Sequence, residues 1–408
     1  MKLLALASCA LGTLSSARSH RGAVAPARVV QAKETSGRLL FLDNLRWLMI
    51  VLVITIHAAV TYSGIGSWYY KEPAKLGPAS LLFFLFYQTH VQAFFMGLLF
   101  LIAGYFVPSS LDRKGPGRFV ADRAVRLGVP TLIYALLIHP PMVYAVQAVS
   151  GARPASPLRD YAHYVFTLEF VSGTGPLWFA LALLVFSGVY ASGRILGLRG
   201  GTSQDRLPSN LDVLALIGVL AAGSFLMRLV QPLGTSVLNM QLGFFVQYIV
   251  LFAIGGLARR RDWLNQISTQ FGRGWSIAAV LIGVPMWFAL MLLGGTEAGP
   301  FAGGLHWQSA VYCTWESVFC VGMCLGLLMF FRQRFNRQGA PARFLSENAF
   351  AVYVFHAPIL LALALAMRGW RVWPFAKFLV LSATGLVATL VVAHFVVRRI
   401  SGLRQVMR

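Results

Sequence analysis

Charge is what this chain has least of. Only 12% of its 408 residues are Asp, Glu, Lys or Arg, against 57% hydrophobic, which is about half the charged share of a soluble domain. An ordinary soluble globule is excluded, and a membrane protein is implied. Cysteine is scarce as well: Cys9 stands near the N-terminus, and Cys313, Cys320 and Cys324 lie along one apolar run. So placed, they provide no disulfide framework. The last three would lie within about 40° of one another on a helix, but no His or Cys pair elsewhere completes a metal-binding spacing. They read as small packing residues, and no metal is expected. Internal repeats and low-complexity tracts are missing, and no soluble domain follows the last apolar run.

What is present is a series of apolar runs long enough to cross about 30 Å of hydrocarbon. They fall near residues 45–62, 82–107, 127–149, 176–193, 211–230, 239–258, 275–294, 308–331, 349–367 and 374–397. The expected fold is therefore all-α and polytopic, with about ten transmembrane helices. The fourth run, which follows a Gly-Thr-Gly-Pro turn at 173–176, and the fifth, which ends at Arg228, carry the weakest signal.

A net charge of +22 in a soluble protein would suggest nucleic acid, but here the cations sort by loop. Segments on the same side as the N-terminus hold 27 Lys and Arg, and the opposite loops hold seven. By the positive-inside rule both termini are cytoplasmic. The basicity is a topology signal, and no nucleic-acid partner is needed. Residues 1–40 stand apart as a disordered or targeting extension: a short apolar stretch over 3–14, then small and basic residues. A cleaved secretory signal is the alternative, with Leu6-Ala7-Ser8-Cys9 resembling a lipoprotein cleavage box, since the stretch suits a signal h-region and is too short to span. Residues 41–397 would form the transmembrane domain and 398–408 a basic cytoplasmic tail.

Inside the first run stands His57, with Arg46 at its mouth. On a helix the two are about 16 Å apart along the axis and only about 20° apart around it. Ionisable groups within a bilayer face the protein interior or a water-filled path and mark sites. A snorkelling Arg46 paired with Asp43, and a histidine hydrogen-bonded in a polar core, form the competing account. The next loop on the same side carries Arg113, Lys114, Arg118, Arg123 and Arg126. The group reads either as a positive-inside anchor or as a phosphate site, because guanidiniums at i and i+3 on one helix make a fork suited to phosphate oxygens.

These residues resemble the acyltransferase-3 family of integral membrane acyltransferases. The likeness rests on Arg46 and His57 at their separation, on Arg123-Ala124-Val125-Arg126 before the third run, and on ten spans. It extends to Phe94-Phe95-Met96 and on to Gly104, to Gly175-Pro176-Leu177-Trp178-Phe179, and to Ser346, Tyr353 and His356 around the ninth run. It covers residues 40–397, and the stretch 42–63 is most similar to the branch that includes the glucan-succinylating membrane proteins. Family members with a fused extracytoplasmic esterase-like domain exist, and this chain has no room for one. The resemblance implies transfer of an acyl group from cytoplasmic acyl-CoA, a donor substrate and not a resident cofactor, to a hydroxyl on a carbohydrate or glycolipid at the outer face. Arg46, Arg123 and Arg126 would hold the phosphates of coenzyme A, and His57 would take the proton of the attacking hydroxyl, a role suited to a group titrating near neutrality.

Further polar groups fall at matching depth. His90, Glu316 and His57 all lie about 9 to 14 Å below the outer surface at 1.5 Å per residue. Convergence is one expectation, with Glu316 orienting His57 as a catalytic carboxylate orients an imidazole. An independent buried ion pair or a protonated Glu316 is the other. His356, one turn from Tyr353, either lines the donor tunnel or belongs to a hydrogen-bonded core pair, and Trp178 is tunnel wall or packing. Trp68, Tyr69 and Tyr70, in the loop after the first run, offer faces for a sugar ring or belong to an interfacial aromatic belt. A transporter or proton-coupled exporter is the alternative from another class, since intramembrane His, Glu and Arg also mark substrate paths. Paired halves would favour that alternative, and no second copy of the Arg46 and His57 pattern exists.

Overall fold

In hydrocarbon a backbone amide has no water to bond, so a spanning segment satisfies its own hydrogen bonds as a helix. The computed structural model follows this rule. It describes residues 39–72, 75–152, 156–197, 206–295, 297–395 and 399. The extension up to residue 38 with Cys9, and the basic tail apart from Arg399, lie outside the described residues.

Among the described residues ten helices are long and apolar enough to cross a membrane: α1 Leu40–Ser63, α2 Pro78–Lys114, α3 Pro116–Val149, α4 Gly175–Ile195, α5 Asn210–Val230, α6 Leu242–Arg260, α7 Thr269–Leu293, α8 Trp307–Arg334, α9 Ala340–Ala366 and α10 Pro374–Phe395. Among the described residues the only strand-like pairing is a single bridge between Val237 and Met240. The protein is thus a multi-pass integral membrane protein. The helix ends have local causes. Gly64 closes α1 in the left-handed region at φ 72°, where glycine has no Cβ penalty. Ser209 and Asp212 cap α5 reciprocally.

Two boundaries differ from the hydropathy pattern in a way that matters. The second helix runs 37 residues, about 55 Å at 1.5 Å per residue, so it outruns the hydrocarbon and its Arg113 and Lys114 end stands clear of it. The third helix begins at Pro116 instead of 127, because Gly115 at φ 74° turns the chain and Pro116 restarts a helix in the first turn, where its missing N–H costs nothing. Arg123 and Arg126 therefore sit inside α3. From Ala124 to Gly128 the helix is π-wound, a widening found often at functional sites.

The second span is the most enclosed, with 83% of its apolar window buried, whereas only 22% of the third and of the seventh is buried. Helices α1, α2 and α8 form the middle of the bundle. Helix α6 lies against α2, α5 and α7 against α8, and α9 and α10 against α1. The α2–α6 approach depends on glycine: a methyl group on Gly104 would strike the Phe252 carbonyl, and one on Gly255 the Leu101 carbonyl. Small residues at such crossings let backbones meet where no hydrophobic drive exists between helices in lipid.

Candidate functional site

His57 lies on α1 where the helix meets α9 and the loop that follows it. Gly64, and Gly66 at φ 103°, fold that loop back over the helix, and the Glu72 amide donates to the Thr61 carbonyl at 2.8 Å. Trp68 is thereby laid on the imidazole, ring centroids 3.7 Å apart and planes 14° from parallel. His356, on α9, lies nearly parallel to both, 5.4 Å from His57 and 6.2 Å from Trp68.

The hydrogen bonds of the two imidazoles differ. His356 is fully buried, and its Nδ1 stands 2.6 Å from the Tyr353 carbonyl. A carbonyl only accepts, so Nδ1 carries the proton and a neutral ring keeps an unprotonated Nε2, which is buried with no partner. His57 is half-buried. Among the described residues its Nδ1 is buried without a partner, and its Nε2 makes no hydrogen bond. A buried imidazole with both nitrogens unspent is costly and forms a ready acceptor for a proton from outside.

A second network borders the stack. Tyr69 makes an edge contact with Trp68 at 5.4 Å, and its hydroxyl reaches His139 Nδ1 at 2.8 Å and the Tyr134 hydroxyl at 3.1 Å. Burial pushes the Tyr69 phenol well above its ordinary range, so it stays a neutral hydroxyl. The loop is anchored from α10, where the buried Lys377 ammonium donates to Glu72 Oε1 at 2.7 Å and to the Met367 carbonyl at 3.1 Å. Of the aromatic triplet of residues 68–70, Trp68 thus packs on His57 and Tyr69 on Trp68, His139 and Tyr134.

At the other end of α1, Arg46 donates to Asp43 at 3.4 Å and lies over the Phe106 ring at 4.6 Å. Arg123 is within Coulombic range of both Arg46 and Arg126 and covers Phe119 at 5.3 Å. The three arginines thus gather from α1 and α3. Like charges so close repel and are stabilised by an anion between them.

Tyr353 donates to the Pro176 carbonyl and so joins α9 to the single 3-10 turn Gly175–Leu177 that starts α4. Trp178 packs into an aromatic group with Tyr248 at 5.8 Å and Phe245 at 6.1 Å and has no ring contact with the histidines. Of its two readings, packing describes what it touches.

The expected convergence of His57, His90 and Glu316 does not occur. His90 bonds the Phe86 carbonyl through Nδ1 at 2.8 Å and is enclosed by Trp315 at 5.0 Å and Phe319 at 4.8 Å. Glu316 faces α5, where Arg228 Nη2 donates to its Oε2 at 2.5 Å. Matching depth fixes height along a helix and leaves the azimuth open, and these two side chains find their partners elsewhere. The carboxylate expected to orient His57 is committed to a guanidinium.

Arg228 is the residue that the pattern of apolar runs hid. Taken as the end of the fifth run, it is fully buried. It donates also to the Gly243 carbonyl at 3.2 Å and to Cys313 Sγ at 3.2 Å, between the rings of Phe244 and Tyr312. Its isolation as the single cation of its loop was the available signal. Cys320 accepts from Gln247 Nε2 at 2.6 Å, and its Sγ lies 4.0 Å from that of Cys324.

Comparison with known proteins identifies the family of the chain as a whole. Residues 39–394 match a family model described as an acyltransferase domain. Glucans biosynthesis protein C of Escherichia coli strain K12 is 25% identical over 338 residues, covering 79% of this chain and 82% of the relative. The protein of the same name from Escherichia coli O9:H4 strain HS is 25% identical over 340 residues, with the same coverage. No solved structure matches. With the match extending from the start of α1 to the end of α10, the chain belongs to the acyltransferase-3 family, and it is a multi-pass membrane acyltransferase.

Proposed function

We propose that this acyltransferase takes its acyl group from acyl-CoA on the side of the three arginines and delivers it to a hydroxyl of a carbohydrate or glycolipid on the opposite side. The excess of Lys and Arg on the arginine side supports a cytoplasmic donor and an outer acceptor in an inner or plasma membrane. The relatives named for glucan biosynthesis support a carbohydrate acceptor.

Arg46, Arg123 and Arg126 hold the phosphates of coenzyme A, and the pantetheine arm carries the thioester along α1 to His57. The unprotonated nitrogen of His57 accepts the proton of the acceptor hydroxyl as its oxygen attacks the thioester carbon. The tetrahedral intermediate collapses with loss of the coenzyme A thiolate, which takes the proton back, leaving an ester and a free thiol. Trp68 keeps the imidazole plane fixed, and His356, with its free Nε2, is a second acceptor beside it. The carrying observation is His57 itself: half-buried, stacked, and without a hydrogen bond on either nitrogen among the described residues. Purified protein in proteoliposomes, given radiolabelled acetyl-CoA or succinyl-CoA and a glucan, tests the reading by label transfer. Loss of transfer in H57Q supports it, and wild-type transfer in H57Q overturns it.

A further inference from the structure

At the end of α3 away from the arginines a cavity of about 440 Å³ lies between the helix and the segment after it. Its construction follows from two prolines. Pro140 and Pro141 have no N–H, so the carbonyls one turn earlier lose their helical donors, and the helix is π-wound over Tyr134–Ile138. The short helix Pro157–Phe166 supplies replacements: Tyr164 donates to the Ala135 carbonyl at 2.8 Å and Tyr161 to the Leu136 carbonyl at 3.2 Å. Their hydroxyls thus spent, both tyrosines hold their rings in the cavity wall, joined by Tyr144, whose hydroxyl bonds the Pro157 carbonyl at 3.1 Å. Asp160 and Glu169 add two carboxylates. Asp160 makes no side-chain hydrogen bond or ion pair among the described residues. Glu169 has only an exposed contact with His163 at 3.5 Å.

His139 connects this cavity to the histidine stack. It lines the wall and lies parallel to Tyr164 at 5.9 Å, and its Nδ1 bonds Tyr69, the neighbour of the Trp68 that covers His57. Flat aromatic faces suit the C–H side of a pyranose ring, and carboxylates accept paired hydrogen bonds from neighbouring hydroxyls. The same carboxylates repel anions. We propose that this cavity is a binding subsite for an uncharged sugar ring of the acceptor, next to the ring whose hydroxyl enters beside Trp68. The assignment rests on the carbohydrate-acceptor reading above and adds where the acceptor is held. Contacts to a part of the substrate remote from the reacting hydroxyl supply positioning for the transfer.

The test is direct binding of a fluorescently labelled glucose heptasaccharide to the full chain in nanodiscs, without any acyl donor. Wild type binds the label, while D160N and E169Q each bind about tenfold more weakly, the loss expected for one hydrogen bond to a charged group, and Y161A, which removes a ring from the wall, also binds more weakly. The two carboxamide variants alter exposed side chains and keep the fold, which thermal melting verifies. A glycolipid bearing the same sugar in the nanodisc competes with the label, and its rank against the free sugar tells a lipid-linked acceptor from a free one. Equal binding by wild type and all three variants, or no binding by wild type, overturns the subsite. Sugar binding that persists while wild type transfers no acyl group to any glucan sustains the subsite and removes the catalytic reading alone.

Discussion

Two buried polar centres share this bundle, and they are built on opposite plans. The centre between α5 and α8 turns its charges on itself: Arg228 spends its guanidinium on Glu316 Oε2, Cys313 and the Gly243 carbonyl within aromatic walls, and both charges are sealed from solvent, with Glu316 Oε1 buried and unpaired among the described residues. The centre between α1 and α9 is left unsatisfied: among the described residues neither His57 nitrogen has a partner and His356 Nε2 has none, and His57 is only half-buried. A charge that is ion-paired and sealed from solvent is not available to meet a substrate. A polar group that is unpaired and accessible carries a cost that only an incoming ligand relieves. The contrast assigns structure to the first centre and chemistry to the second, although both lie within the membrane.

The largest effect expected from this contrast is on turnover. H57A or H57Q should lower the transfer rate by about 10² to 10⁴, the contribution of a general base, with the melting temperature in detergent unchanged. Initial rates of label transfer check this. Next comes stability at the other centre. R228M or E316Q should each destabilise the fold by about 3 to 5 kcal/mol, because removing one partner leaves the other charged and buried, and pairing R228M with E316L should recover most of the loss. Denaturation midpoints of the singles and the double report it, and equal midpoints throughout would break the comparison.

How much of this was legible in the sequence follows from the kind of signal each residue gives. The ten helices were, since a bilayer demands uninterrupted apolar runs and the chain supplies ten. His57 and Arg46 were as well, because an ionisable residue in such a run is conspicuous and the eleven-residue step fixes a common face. Glu316 was visible as an intramembrane acid, yet its partner was not. Apolar periodicity places a residue along its helix, whereas the direction it faces depends on neighbours distant in sequence, and Arg228 is 88 positions away. Trp68 was hidden for the same reason: its contact with His57 depends on the turn at Gly64 and Gly66 and on the Lys377 anchor, which no local pattern records. The π-wound course of α3 around Arg126 and the pairing of its proline-freed carbonyls with Tyr161 and Tyr164 arise likewise only in three dimensions.

Smaller effects sharpen the picture. R123A and R126A should each weaken acyl-CoA affinity by about 1.5 to 3 kcal/mol, the value of a charge-assisted contact. Lys at either position should restore part of it, since an ammonium lacks the bidentate fork. Coenzyme A titrations measure both, and unchanged affinity would return these arginines to a membrane anchor. The smallest change expected is for W68A. Losing the stacked face should cost about 0.5 to 1.5 kcal/mol in transition-state stabilisation, read as a decrease in kcat that W68F partly repairs.

The most direct test of the division between the two centres is the rate of acyl transfer per folded molecule for H57Q and E316Q side by side, with the folded fraction of each fixed by thermal melting. The account predicts that H57Q melts like wild type and scarcely transfers, while E316Q melts lower and each folded molecule transfers like wild type. An E316Q protein that melts like wild type and has lost transfer, or an H57Q protein that transfers normally, would contradict it.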